Sequence, residues 1–185
     1  METMEPGSFP YSDNVIFFDT EFTNLDPRTG ELLSIGMVKP NGEELYLEFE
    51  HTGPLDPWVV EHVMPFMEGI TFSKEDACTL IRQFVGDTHP YLVAYVNQFD
   101  AVYWYDLFGS AQDHPAFWIP IDFASVLFAY GFPPNAMGNH KFIKSLGINL
   151  DTTHKEHNAL DDARLLKKIY NAFFERYGRG DEHAK

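Results

Sequence analysis

The segment Asn158–Tyr177 limits the fold more than any other part of the chain. Wound at ~3.6 residues per turn, it places Leu165, Leu166, Ile169, Phe173 and Tyr177 on one face, and Arg164, Lys167 and Lys168 on the other. A helix with one apolar stripe must lay that stripe on a second layer of structure. Asp162 falls at the centre of the same stripe, one turn before its apolar part begins. A buried carboxylate without a partner is costly, so this position calls for a cation, a metal or a proton. Its neighbour Asp161 points towards Lys168 and is the solvated member of the pair. Gly178 closes the helix.

The layer beneath is written earlier in the chain. Val15–Phe18 (VIFF) is a short apolar run, read as a buried strand. Leu32–Val38 reads as a second strand after the turn Asp26–Gly30. Pro40-Asn41-Gly42 is a hairpin signal, and Glu44–Phe49 alternates as a third strand. These three form an antiparallel meander. Asp56-Pro57 opens a helix. Ser73–Asp76 opens another, with Ala77, Leu80, Ile81, Phe84 and Val85 at helical spacing. Tyr91–Val96 is a fourth strand, followed by an aromatic helix over Phe99–Phe108. Trp118–Phe123 is a fifth strand, running into a helix that ends near Gly131, and His140–Leu146 is a short helix. The expected fold class is therefore α/β: a mixed five-stranded sheet flanked by helices. It forms one domain over residues 13–178, with a loose arm at 1–12 and a frayed tail at 179–185.

Charge narrows the function. The 185 residues hold 28 Asp and Glu against 13 Lys and Arg, a net charge of −15. Proteins that grip duplex DNA through many phosphates are normally basic, so tight sequence-independent duplex binding is excluded. An acidic protein acts on nucleic acid when a divalent metal neutralises the phosphate and only a chain end is held. The single cysteine, Cys78, excludes an intramolecular disulfide and a cysteine-cluster zinc site, and fits a reducing compartment. No apolar run approaches the ~18 residues of a membrane span, and the first residues lack the pattern of a signal peptide. The expectation is a cytoplasmic protein with no membrane partner. Aromatic residues make up 16% of the chain, a surplus that a homodimer would use.

The acids carry the chemistry. Asp19-Thr20-Glu21 is weak as a bare pattern, since about four acid-x-acid triplets arise by chance at this composition. Its context is stronger. Asp19 directly ends the buried run Val15–Phe18, and residues i and i+2 of a strand share a side. Two such carboxylates repel unless a positive charge lies between them, and hard divalent cations take oxygen ligands. Asp100 follows the fourth strand and starts the aromatic helix, where an acid also meets the helix dipole. His157 stands at the start of the last helix, at the mouth of the same region. With a free pKa near 6.5, a histidine beside a metal site is suited to be a general base. Tyr103, Trp104, Tyr105 and Phe108 read as core or as an interface, and Cys78 as a small buried hydrophobe. His140, Lys141, Lys144, His154 and Lys155 form the one locally basic stretch, either a phosphate track or a solvated face.

These motifs together resemble the DEDDh exonucleases of the ribonuclease H-like superfamily. Phe18–Pro27 (FDTEFTNLDP) is similar to that family's D-x-E-T-T-G-L-D consensus, and LLSIGMV follows as its second strand. His157–Asp162 (HNALDD) fits H-x-A-x-x-D, which arises by chance only ~0.04 times in such a chain. Asp100 is the match to the second motif, although Val96 stands where the family carries Asn, and Asn97 comes one place late. The segments AYVNQFD and WIPID look most like small bacterial and phage exoribonucleases, including the adenosine-specific ribonuclease group.

The resemblance implies a two-metal site. Asp19, Glu21 and Asp162 would ligate one Mg²⁺ or Mn²⁺; Asp19 would bridge to a second ion, supported by Asp100 through water. His157 would be the general base. Phe22 and Leu25 would flank the terminal nucleotide, Leu25 as a wedge. The implied activity is 3′→5′ removal of nucleoside 5′-monophosphates from single-stranded RNA or short oligonucleotides. The alternatives are the same chemistry on DNA, a phosphodiesterase on small nucleotides, and a nuclease fold kept only for binding. The last is disfavoured because a dead copy tends to lose its metal acids, and here Asp19, Glu21, Asp100, Asp162 and His157 are all present.

Overall fold

The computed structural model describes residues 10–110, 112–150 and 156–178. Strands β1 (Val15–Phe22), β2 (Leu32–Val38) and β3 (Glu44–Phe49) form the expected antiparallel meander. Strand β5 (Tyr91–Ala94) joins β1 in parallel, and β6 (Ile121–Asp122) joins β5 in parallel. A two-residue strand, β4 (Thr71–Phe72), pairs with β3 at the opposite edge, so the sheet has six strands in the order β4-β3-β2-β1-β5-β6. Two residues carry no readable alternation, which is why this sixth strand is silent in the sequence. The helices are α1 (Pro57–His62), α2 (Lys74–Val85), α3 (Gln98–Phe108), α4 (Phe123–Ala129), α5 (His140–Ser145) and α6 (Ala159–Tyr177).

Strand β1 lies inside the sheet and is covered on both sides, which explains its unbroken apolar run. Ile16 and Phe18 face α2 and α3, meeting Ala77, Ile81, Tyr103 and Trp104. Val15 and Phe17 face α4 and α6, meeting Phe123, Leu127, Leu166, Ile169 and Phe173. Much of the aromatic surplus is spent here: Tyr103, Trp104 and Phe108 are buried, as are Phe17, Phe18, Phe123 and Phe173. Cys78 is half-buried, and its Sγ donates to the Leu107 carbonyl at 3.4 Å. No helix among the described residues is long and apolar enough to cross a membrane.

Helix α6 begins where the sequence places it, with Asn158 as its cap: Asn158 Oδ1 accepts the Asp161 N–H at 3.1 Å. Gly36 lets its first turn approach β2. A Cβ at Gly36 would lie 2.3 Å from the Ala159 backbone, and Gly36 pairs with Asp19 across the ladder. The start of α6 is thereby pressed against the acidic end of β1.

Some expectations change. Strand β5 stops at Ala94 rather than Val96, because Val96 turns into the left-handed region (φ 59°) and the Val96 and Asn97 N–H groups both donate to Asp122 Oδ1. The strand expected over Trp118–Phe123 shrinks to Ile121–Asp122: Pro120 has no N–H for the ladder, and the Trp118 carbonyl accepts the Tyr105 hydroxyl instead. Asp161 does not serve Lys168. It is half-buried and ion-paired with Arg164 at 2.6 Å, one helical turn on. Residues 1–9 of the proposed arm and the tail at 179–185 lie outside the described residues.

Candidate active site

The pleat of β1 divides three consecutive residues between two tasks. Asp19 and Glu21 point to the α6 side. Thr20 points to the α3 side, where its N–H and its hydroxyl both donate to Asp100 Oδ1, at 2.9 and 2.8 Å. Asp100 sits in the first turn of α3 and is 4% exposed. Asp162 enters from the first turn of α6, half-buried, and its Oδ2 accepts the His157 N–H at 2.9 Å. His157 has φ 66°, an unusual conformation for a residue with a Cβ. Such strain often marks functional positions.

One ligand atom each from Glu21, His157 and Asp162 lies within 4.8 Å of the others. Asp19 and Asp100 belong to the same electrostatic cluster. Burial raises the Asp19 carboxyl well above its ordinary range, and the charges of Asp100, Asp162 and Glu21 push it further. Burial, then Asp162 and Asp100, carries Glu21 up to about 8. Asp100 rises to about 7, again through burial first; the Thr20 hydrogen bonds oppose the rise and Asp122 adds to it. These acids are shifted by desolvation and by one another, so they titrate as a set. A cluster of this kind is relieved by protons or by a divalent cation. Carboxylate oxygens with an imidazole nitrogen are a fitting donor set for Mg²⁺, Mn²⁺ or Zn²⁺.

The cluster opens on a cleft of about 470 Å³ lined by Glu21, Phe22, Asn24, Leu25, Asp56, Trp58, Val59 and His157. Leu25 is 67% exposed at its rim. Phe22 is both packing and lining: it stacks on Tyr103, with ring centroids 4.7 Å apart and planes 16° from parallel, while still facing the cleft. The Tyr103 hydroxyl donates to the Asn24 carbonyl at 3.1 Å and so steadies the Phe22–Leu25 turn.

Other candidates stand apart from the cluster. Asn97 is buried and its Nδ2 donates to the Ile121 carbonyl, so it ties the start of α3 to β6. His140, Lys141 and Lys144 are exposed on α5, and His154 and Lys155 lie outside the described residues.

One cleft aromatic has no warning in the sequence. Trp58, 47% exposed on α1, stacks on His62 at 4.5 Å with planes 8° apart. It also meets the His157 ring at 4.7 Å and 80°. The Asp56-Pro57 signal locates the helix, but a single exposed tryptophan makes no periodic pattern.

No family model matches the chain, and no curated protein matches it in sequence. Solved structures do. The chain is similar to the zinc-bound complex of Escherichia coli exonuclease I with single-stranded DNA, at TM-score 0.67 and 15% identity over 89% of this chain and 41% of that one. It is similar to the complex of E. coli exonuclease I with a dT13 oligonucleotide, at TM-score 0.65 and 15% identity over 88% of this chain and 41% of that one. The complex with dA16 gives TM-score 0.67 and 14% identity over the same shares, 88% and 41%. The chain thus spans about two fifths of these proteins. At such identities the likeness establishes the fold alone: a mixed sheet flanked by helices, as in exonuclease I.

Proposed function

We propose that this chain is a metal-dependent 3′→5′ exonuclease that removes nucleoside 5′-monophosphates from single-stranded RNA or short oligonucleotides. The observation that carries the reading is the crowding of Asp19, Glu21, Asp100 and Asp162 into one site, with His157 beside them, on the fold of exonuclease I. The zinc and the DNA oligonucleotides in the similar structures support a metal and a single-stranded substrate.

Asp19, Glu21 and Asp162 would hold one Mg²⁺ or Mn²⁺, with Asp19 shared to a second ion that Asp100 supports. Such ions, when bound, acidify a water and stabilise both the attacking and the leaving oxygen of an in-line displacement. His157 takes the water's proton on an imidazole nitrogen. Phe22 holds the terminal base by stacking, worth about 1–3 kcal/mol and indifferent to sequence. Leu25, at the rim, parts that base from the next.

A second reading, a 3′→5′ DNA exonuclease, is favoured by the DNA in the similar structures. The two differ by a contact to the 2′-hydroxyl. The test is digestion of 5′-labelled RNA and matched DNA oligomers with Mg²⁺, Mn²⁺ or EDTA, beside the Asp19→Ala protein. A metal-dependent ladder that shortens RNA from the 3′ end and vanishes in the variant is the expected result. Preference for DNA selects the second reading. Cleavage of neither polymer, with dinucleotides hydrolysed, moves the activity to small-nucleotide phosphodiesters.

A further inference from the structure

We infer that Trp58 is a positioning residue, whose indole rim holds the His157 imidazole in place, and that the buried carboxylate of Glu48 latches the segment presenting Trp58. The effect on turnover rests on the reading of His157 as general base; the effect on the imidazole itself does not.

His157 needs such a support. Its backbone is held in a left-handed conformation by the bond from its N–H to Asp162, and its ring lies against Trp58. The three ring separations fix the arrangement: Trp58–His62 at 4.5 Å, Trp58–His157 at 4.7 Å and His62–His157 at 6.4 Å. They close a near right angle at Trp58. His62 therefore covers one indole face, while His157 meets the rim with its plane turned 80°. A ring wedged against a rim loses rotational freedom, which a general base needs to lose before it meets its proton.

Helix α1 has only six residues and is too short to hold itself. At its start, the Asp56 N–H donates to the Thr23 carbonyl at 2.9 Å, and the Asp56 side chain accepts the Trp58 N–H at 2.8 Å. Beneath it, Val59 and Val63 pack on Leu33 of β2. Beyond it, Glu48 accepts the Glu68 and Gly69 N–H groups and the Tyr46 hydroxyl. Asn158, next to His157, donates to the Phe66 carbonyl at 3.4 Å. Glu48 is 1% exposed on β3, and the sheet itself has no need of a charge there. Its hydrogen bonds to backbone donors are charge-assisted and therefore strong. In register, Glu48 pairs with Ser34 and Ser34 with Glu21, so one sheet face carries a polar row from the acidic cluster to the latch.

The test compares Trp58→Ala, Trp58→Phe and Glu48→Gln with the unaltered protein. Imidazole resonances of His157, assigned with His157→Gln, report ring mobility without any substrate. Single-stranded oligonucleotide cleavage with Mn²⁺ reports kcat and KM. Trp58→Ala is expected to broaden the His157 resonances and lower kcat by about 10–100-fold, with KM within about threefold. Trp58→Phe restores most of both, because a ring edge remains. Glu48→Gln broadens the same resonances in the same sense. Should Glu48→Gln fail to fold, the Trp58 pair still decides. His157 line widths unchanged in Trp58→Ala overturn the inference. So does a rise in KM with kcat kept, which makes Trp58 a base-stacking wall. If the unaltered protein cleaves no nucleic acid, the exonuclease reading falls, and the line widths alone decide the role of Trp58.

Discussion

Glu21 and Glu48 stand two strands apart on the same face of the sheet, each aligned with Ser34, and both are buried. Their surroundings are opposite. Glu48 meets donors: two backbone N–H groups and a tyrosine hydroxyl. Glu21 meets acids: Asp162 and Asp100 act on it, after burial, to raise its carboxyl to about 8. A buried carboxylate surrounded by donors has its charge satisfied within the protein and serves structure. One surrounded by carboxylates is costly in the folded protein alone, and the cost is recovered when a cation binds. Burial by itself does not separate the two; the identity of the neighbours does.

The contrast can be broken at its strongest point first. Asp162→Ala is expected to abolish cleavage, to below about a thousandth of the unaltered rate, while the protein stays folded; circular dichroism beside the oligonucleotide assay checks both. Turnover that survives rejects the site. His157→Ala is expected to lower the rate by about 10²–10⁴-fold with metal affinity retained, measured by calorimetric Mn²⁺ titration. Loss of the metal would instead make His157 a ligand, as its place beside Glu21 and Asp162 allows.

The two glutamates should then answer with opposite signs. Glu48→Gln removes a charged acceptor from buried donors and is expected to cost about 2–3 kcal/mol in urea unfolding. Glu21→Gln removes a repelled charge and is expected to stabilise the metal-free protein at pH 8. Equal signs would dissolve the comparison.

A milder expectation follows from pH. The folded protein holds Glu21 at about 8 and Asp100 at about 7, above their ordinary 4.5 and 3.8. Between these limits both groups bind more protons in the folded state than in the unfolded one, so their contribution to metal-free stability is fully present below about pH 4 and is lost as pH rises towards 8. Mn²⁺ added at pH 8 should reverse the loss. Melting temperatures across pH, with and without Mn²⁺, check it; a flat metal-free profile would mean that the acids are already satisfied.

The chain's own order of residues determined a good deal. The run Val15–Phe18 is apolar without alternation because β1 is covered on both faces, and Asp19 follows it within β1, just past the point where pairing with β5 stops at Phe17. Asp162 could be placed on the α6 stripe, and His157 just before its cap, because helical period and capping chemistry are local properties. Only the tertiary structure decided the rest. Asp100 reaches Thr20 across 80 positions of sequence. Glu48 has the same acid-x-acid appearance as Glu21 in the sequence, and only the Glu68–Gly69 backbone above it distinguishes them. Trp58 meets His157 from a six-residue helix with no counterpart signal elsewhere in the chain. The physical reason is common to all three. Periodicity reports which face of an element is buried, whereas a buried polar group's role depends on the partner it meets, and that partner is supplied by the topology.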